Sequence, residues 1–435
     1  LGGNHIASKI FIKMNILLLG NGGREHAFAW KIVQSHWCKK LFIAPGNAGT
    51  AQLGRNVQLN PNDFEVVEAF CLENNINLIV VGPEEPLVRG IYDYFAACNL
   101  PVIGPSRAGA MLEGSKVFAK AFMREMGIPT AAYRRFGVDE LAEGRAYIAA
   151  QKPPIVLKAD GLASGKGVLI CATVEEAQSA LAEMLRGKFG KASEQVVVEQ
   201  FLDGIEFSVF VLTDGTDYQL LPVAKDYKRI GEGDTGLNTG GMGAVSPVPF
   251  VDAEMLRKVE ERIVRPTIAG LRRRGLTYKG FIFFGLIKVG DDPYVIEYNC
   301  RMGDPETEAV LPRLKNDLVD LFLATLNGKL REVVIEEAPK CAATIVLASG
   351  GYPEAYEKGK IIANLGQLPD GLQGMVFHAA TKEDHGAVLT DGGRVFAVTG
   401  LGDDQQEALQ AAKKLATSID FEGKYFRSDI GYEFV

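Results

Sequence analysis

From Asn15 onward the chain alternates short, continuously apolar runs with amphipathic segments. NILLLG (15–20) predicts a buried strand, REHAFAWKIVQS a helix and KLFIAPG a second strand. NDFEVVEAFCLENN reads as a helix feeding the strand in NLIVVGPE (77–84), and IYDYFAACN precedes a further strand in PVIG. Strands that are apolar throughout and alternate with helices imply a parallel sheet covered on both faces. The loops that follow them are GNGG, APGNAG, VGPE and IGPS. They fall beyond the carboxyl ends of the strands, where open α/β sheets bind ligands.

The rhythm changes past the helix VFAKAFMREMG. PIVLKAD, GVLICA, QVVVEQFL, IEFSVFVLTDG and YQLLPVA suit antiparallel hairpins better than βαβ units. RIGEGDTGLNTGGMGA (229–244), rich in Gly and Thr, predicts a mobile loop rather than a packed element. A long helix over 252–274 precedes a hairpin of FIFFGLIKV and YVIEYN. The tail carries AATIVLASGG, GMVFHAATKE, GRVFAVTGLG and the helix DDQQEALQAAKKLATSI, a small α+β unit. The expected fold class is α/β and α+β, in several domains. Residues 1–13 are read as a remnant or upstream extension, 14–117 as a parallel α/β domain, 118–330 as a strand-rich domain and 331–435 as an α+β domain.

Length and composition fit this division. The 435 residues are 47% hydrophobic and 23% charged, enough for about three globular domains. Lys+Arg 47 against Asp+Glu 54 gives a net charge of −7 without a basic tract. That argues against nucleic acid or an anionic membrane as partner. Six cysteines lie far apart, at 38, 71, 98, 171, 300 and 341, with no C-x-x-C. Reduced thiols in a cytoplasmic protein are expected. No apolar run reaches the length of a membrane span.

Four segments carry candidate chemistry. Gly20-Asn21-Gly22-Gly23 is a glycine turn feeding a helix N-terminus, which presents N–H groups to an anion. A dinucleotide fingerprint is disfavoured, because Glu25 stands at the third glycine position and no acid ends the second strand. A small phosphorylated ligand and a plain tight turn remain the alternatives. Lys158 lies within an apolar strand, where its ammonium needs an anion or water, and Asp160 to Gly167 follow as a glycine-rich hairpin with Lys166. This is no Walker loop, since the spacing is short and no Ser or Thr follows the lysine. It reads as a lid (about 129–200) closing over nucleotide phosphates, or as an edge-strand lysine beside a flexible turn.

Glu199, Gln200, Phe201 and Leu202 then suit a linker offering backbone groups to an adenine edge, with Glu206 reaching ribose hydroxyls. An ordinary hairpin with solvated acids is the competing reading. Finally, YVIEYNCRMGDPET places Glu297 and Asn299 on one strand face. Two hard oxygens plus water and phosphate suit Mg²⁺ or Mn²⁺. The solvent face of an amphipathic strand is the competing reading, which the tight cluster of Glu, Asn, Arg and Asp disfavours. Arg301 continues that alternation and is fit to stabilise a transferring phosphoryl group.

GNGGREHA (20–27), APGNAGT (44–50), VGPEEPL (81–87), LEGSK (112–116), KADGLASGKG (158–167), DTGLNTGGMGA (234–244), EYNCRMGDPET (297–307) and RSDIG (427–431) together resemble the phosphoribosylamine–glycine ligases of the ATP-grasp superfamily. The resemblance runs from Met14 to the C-terminus in the family's order. It implies a preATP-grasp domain, an ATP-grasp domain and a small C-terminal domain. It implies that ATP, glycine and 5-phosphoribosylamine give ADP, phosphate and glycinamide ribonucleotide, in purine biosynthesis.

By the same resemblance, ATP is held by Lys116, Lys158, Gly161, Leu162, Ala163, Ser164, Gly165, Lys166, Gly167, the 199–202 backbone and Glu206. Glu297 and Asn299 take the metal. Phosphoribosylamine and glycine fall to Asn21, Gly22, Gly23, Arg24, Glu25, Gly46, Asn47, Ala48, Gly49, Pro83, Glu84, Asp226, Lys228, Arg229, Gly241, Met242 and Asp304. Lys158, Arg301 and Asp304 are the catalytic candidates. FIFFG lacks the carboxylate with which many ATP-grasp proteins complete the metal site. The expected form is a monomer or weak homo-oligomer. Alternatives are another ATP-grasp ligase or carboxylase, or a nucleotide sensor without turnover.

Overall fold

A computed structural model describes residues 13–162, 167–365 and 372–434. The expected extension therefore lies, except for Lys13, outside the described residues. Five parallel strands open the fold, in the spatial order Arg55–Asn56, Cys38–Pro45, Met14–Gly20, Ile76–Val81 and Val102–Pro105. The first strand shows why its apolar run is unbroken. Leu17 and Leu19 join one core with Val67, Phe95 and Phe122, while Ile16 and Leu18 join another with Phe28, Phe281 and Phe322. Alternate side chains thus bury both faces.

The parallel sheet does not stop at its domain. Val102–Pro105 pairs antiparallel with Tyr278–Val289, which also pairs with Asp292–Asn299 and Ile205–Thr213. A nine-stranded sheet results. The junction needs a glycine, because a Cβ on Gly280 would stand 2.9 Å from the backbone nitrogen of Gly104. The long helical stretch runs from Ala253–Val259 through a π segment, Glu260–Val264, to Arg265–Arg273.

Tyr133–Gly137, Gln195–Gln200, Ile155–Ala159 and Val168–Cys171 form a separate antiparallel sheet. Its core of Phe136, Leu157, Val196, Val198 and Leu181 lies beneath the helices Leu141–Ala149 and Val174–Leu185. A five-stranded sheet near the C-terminus is backed by the helix Gln405–Ser418 through Ala408, Leu409, Ala412 and Leu415. Two of its strands, Lys225–Asp226 and Gly243–Ser246, come from the middle of the chain.

That pairing corrects the expectation of a mobile loop over 229–244. Arg229–Gly231 and Thr235–Asn238 form a hairpin, and Gly243–Ser246 is fully buried. Composition misleads here because the glycines make tight turns: Gly233, Gly236 and Gly241 have φ of 64°, 78° and 116°. The fully buried Arg427 then ties the hairpin down, donating to Asp234 Oδ1 at 2.7 Å and to the Arg229 carbonyl at 3.1 Å. No helix among the described residues is long and apolar enough to cross a membrane.

Candidate functional site

Glu297 lies near the end of Asp292–Asn299, opposite Gly285. Burial acts to raise its carboxyl, but Lys228, Lys158, Lys116 and Arg301 outweigh burial and hold it below the usual range. Four cations from four parts of the chain thus converge on one strand end. Two positions on, Asn299 is 8% exposed, and its amide nitrogen finds no partner among the described residues. The Glu297 carboxylate and the Asn299 amide oxygen, two residues apart on a strand, are a donor set suited to a hard divalent cation. The unpartnered amide nitrogen is a hydrogen-bond donor outside that set.

Each cation has its own protein partner. Lys158 reaches Glu199 Oε2 at 3.0 Å and the Ile296 carbonyl at 3.2 Å. Lys228 meets Glu206 Oε2 at 2.7 Å and Asp226 Oδ2 at 4.0 Å. Lys116 donates to the Gly161 carbonyl at 3.3 Å, and burial pushes its ammonium down against the pull of Glu297. Arg301 contacts Glu113 Oε1 at 3.0 Å and Glu84 Oε2 at 3.4 Å. The start of the Lys116–Met126 helix is tied to the glycine hairpin by Asp160, whose Oδ1 accepts from Ser115 Oγ and the Val117 N–H, both at 2.8 Å.

In the linker, where the sequence reading offers backbone groups to a ligand, the Glu199 side chain is buried between Lys158 and Lys120 (3.2 Å). The Gln200 N–H is committed to the Ala132 carbonyl at 2.9 Å. Phe201 and Leu202 are half-buried beyond it. Glu199, Gln200 and Phe201 also line a cleft of about 360 Å³ with Gln151, Pro153 and Ile155. Gly161 and Leu162 continue from the Lys158 strand and Gly167 begins the return, whereas Ala163, Ser164, Gly165 and Lys166 lie outside the described residues.

The glycine turn at 20–23 is not an open anion cradle. The Gly22 N–H is taken by Glu25 Oε2 at 2.6 Å and the Arg24 N–H by Asp304 Oδ2 at 3.3 Å. Arg24 itself binds Glu25 Oε1 at 2.6 Å and the Met302 carbonyl at 3.1 Å. Burial would raise the Asp304 carboxyl, yet Arg394 and Arg24 hold it below the usual range. A side chain on Gly23 would collide with Glu308. The adjoining 46–49 turn is fixed by Asn47, which donates to the carbonyls of Asn21 and His378, both at 2.9 Å, and accepts from the N–H of Gly49. Ala48 is buried beside it, and its N–H reaches the Thr381 carbonyl. Pro83 precedes the helix Glu84–Arg89, which aims Glu84 at Arg301.

Two expected substrate residues fit poorly. Met242 is 0% exposed, its N–H bonds the Tyr227 carbonyl, and its own carbonyl accepts from Val346. No polar group of Met242 is left for a substrate, because the strand it leads into enters the C-terminal sheet. Arg229 is turned along its own hairpin, to the Gly236 carbonyl at 2.8 Å. Gly241 is pressed against Pro305 and Arg394.

Sequence reasoning missed Arg394, Glu113, Lys120 and Glu306. Arg394 bridges Asp304 (3.1 Å) and the Gly240 carbonyl (2.7 Å). Glu306 is pushed up to about 7 by burial and then by Asp226, with Ser208 Oγ at 3.3 Å. Lys120 had a visible signal: it stands four residues after Lys116, on the same helix face. The partners of Arg394 and Glu113 are too distant in the chain for spacing to reveal them.

Three family models match in succession: the N domain of phosphoribosylglycinamide synthetase over 14–113, its ATP-grasp (A) domain over 114–307 and its C domain over 342–433. A phosphoribosylamine–glycine ligase of Vibrio parahaemolyticus is 47% identical over 424 residues, 96% of this chain and 98% of that protein. A bifunctional purine biosynthetic protein of Pichia angusta is 46% identical over 97% of this chain, which spans only 54% of that longer protein. The crystal structure of the Thermotoga maritima phosphoribosylamine–glycine ligase superposes with a TM-score of 0.84 at 36% identity, covering 96% of this chain and 100% of that one. With all three domain models matched in order and relatives aligned over nearly its whole length, the chain belongs to the phosphoribosylamine–glycine ligase (phosphoribosylglycinamide synthetase) family of ATP-grasp ligases.

Proposed function

We propose that this chain joins glycine to 5-phosphoribosylamine at the expense of ATP, giving glycinamide ribonucleotide, ADP and phosphate. Family membership supplies the substrates. The observation that carries the chemistry is the convergence of Lys116, Lys158, Lys228 and Arg301 on Glu297. A carboxylate is a poor electrophile, so the glycine carboxylate first takes the γ-phosphoryl group. The C–O bond of the glycyl phosphate then breaks as the amine nitrogen bonds the acyl carbon. The departing electron pair leaves with phosphate.

Phosphoryl transfer asks a protein mainly for positioning and charge neutralisation. In this reading Lys116, Lys158, the 161–167 hairpin, the 199–202 linker and Glu206 hold ATP, and Arg301 meets the transferring group. Glu206 then exchanges Lys228 for the ribose. Glu297, through its carboxylate, and Asn299, through its amide oxygen, would hold Mg²⁺ or Mn²⁺, which when bound offsets phosphate charge. What supports the fit is a pair of hard oxygen donors on one strand face, with the Glu297 carboxyl held below its usual range by the cations around it. The 21–25, 46–49 and 83–84 loops, Asp226, Lys228 and Asp304 surround the amine and glycine. The lid sheet over 129–200 excludes water from an acyl phosphate that hydrolyses readily.

The test is ADP release with ATP, glycine and phosphoribosylamine, each omitted in turn. Full activity requires all three. Undiminished ADP release without glycine, or with another amino acid replacing it, would assign the chain another ATP-grasp reaction.

A further inference from the structure

Arg301 is gripped on three sides. Its Nη2 lies 3.0 Å from Glu113 Oε1, its Nε 3.4 Å from Glu84 Oε2, and its Nη1 donates to the Met302 carbonyl at 3.3 Å. The two acids are unequal. The Glu84 side chain is 32% exposed and makes the longer contact, whereas that of Glu113 is 6% exposed. Glu113 also spends its second oxygen on the neighbouring residue: Oε2 accepts the Cys300 N–H at 2.7 Å and the Cys300 thiol at 3.0 Å. Cys300 is the single residue between Asn299 and Arg301.

One carboxylate from the Arg107–Gly114 helix therefore fixes the backbone behind the amide donor and the guanidinium beyond it. Burial pushes the Glu113 carboxyl up, while Arg301 and the two bonds from Cys300 pull it back towards the ionised form. The geometry, in which the carboxylate only accepts, is that of the ionised form. Glu113 is also foremost among the groups that keep the buried Arg301 charged.

We propose that Glu113 is the positioning residue for phosphoryl transfer, holding Arg301 and the Asn299–Cys300 backbone in the geometry in which the guanidinium faces the transferring group. This rests on the assignment of Arg301 to that group. Loss of positioning lowers kcat without weakening ATP binding, because the lysines and the lid that hold ATP are untouched.

Glu113→Gln keeps an acceptor for the Cys300 N–H but removes the charge that orients Arg301. It is expected to lower kcat about 10²-fold, the effect of misplacing a group by an ångström, with KM for ATP nearly unchanged. Should that variant fail to fold, Glu113→Asp, which retains charge but withdraws the carboxylate by one methylene, carries the same expectation. A second readout separates positioning from mere structure. Guanidinium added to Arg301→Ala should restore glycine-dependent ADP release with saturation, because Glu113 offers it a seat, and should not restore Glu113→Gln/Arg301→Ala. Equal rescue of both, rescue of neither, or an unchanged kcat in Glu113→Gln overturns the proposal. Absence of turnover in the unaltered protein with all three substrates would instead overturn the ligase reading.

Discussion

Replacing Glu199 by glutamine removes one negative charge from a site that shares it between two buried lysines. Glu199 is 4% exposed, and its Oε2 stands 3.0 Å from Lys158 and 3.2 Å from Lys120. Breaking a buried ion pair on one side costs about 3–5 kcal/mol. Here Lys120 softens the loss. Burial, working against Glu199, has already pushed its ammonium down to about 8, so without the carboxylate it sheds its proton.

Keeping a lysine neutral at about pH 7.5 against an unfolded value of 10.5 costs about 4 kcal/mol, at 1.36 kcal/mol per pH unit. A value of about 8 already costs about 3 kcal/mol, so Lys120 adds only about 1 kcal/mol. Lys158 loses a hydrogen bond to a charged group, worth about 1.5–3 kcal/mol. The sum is about 3 kcal/mol, or roughly two decades in an opening equilibrium. Amide hydrogen exchange should register it as a hundredfold-order loss of protection in Ile155–Ala159 and Gln195–Gln200, with the strands Cys341–Ala348 and Arg394–Gly402 unaffected. Because Lys120 of the parent itself loses its proton near 8, the Lys120 share of the deficit is present below that pH and fades as pH rises through about 8. Lid amides that exchange as in the parent would refute the idea that Glu199 holds the two lysines together.

Two further outcomes are expected. Glu297→Ala should abolish turnover while circular dichroism shows a folded protein; parental activity in that variant would remove the metal assignment. His26 and His378 are buried together, the His378 N–H donating to His26 Nδ1 at 2.7 Å, and burial lowers them to about 3 and about 4. The unfolded chain binds more protons below pH 6.5, so stability falls as pH drops from there towards 4. At about pH 5 the two together cost about 4 kcal/mol. Protection of the strand Gly374–His378 at pH 5 equal to that at pH 7.5 would contradict this.

What the sequence made legible follows from the range of the interactions. Strands such as Met14–Gly20 and Ile76–Val81 announce themselves because both faces are buried and every position is apolar. Glu297 and Asn299 were legible because two residues on one strand share a face. The Gly-rich 229–244 segment was not, since its order comes from Arg427, nearly two hundred residues later. The helix start at Gly22 and Gly23 looked like an open anion site from the glycines alone. Its N–H groups are filled partly by Glu25, only three residues away, and partly by Asp304, far along the chain. Arg394 was invisible for the same reason: its partners Asp304 and Gly240 lie in other motifs.

The cluster around Glu297 also bears on selectivity. Lys158, Lys228 and Arg301 are each matched by a protein carboxylate, through Glu199, Glu206 and the Glu113–Glu84 pair. Lys116 rests on a carbonyl instead. A single small anion would have to displace those acids for little return, because protein and ligand would compete for the same cations at similar distances. A polyphosphate carrying its own divalent ion alters the balance. On the reading proposed above, its several charges would engage Lys116 and Lys158 together, while its cation would give the oxygens of Glu297 and Asn299 a shared partner. Paired lysines keep the unliganded interior free of uncompensated charge, and on that reading they would favour a metal–nucleotide complex over a small anion. Lys116, whose hydrogen bond goes to the Gly161 carbonyl, stands at the helix start that Asp160 binds through the Ser115 hydroxyl and the Val117 N–H. On the same proposed reading, this lysine is the group that a phosphate would meet without first displacing a carboxylate from hydrogen-bond contact.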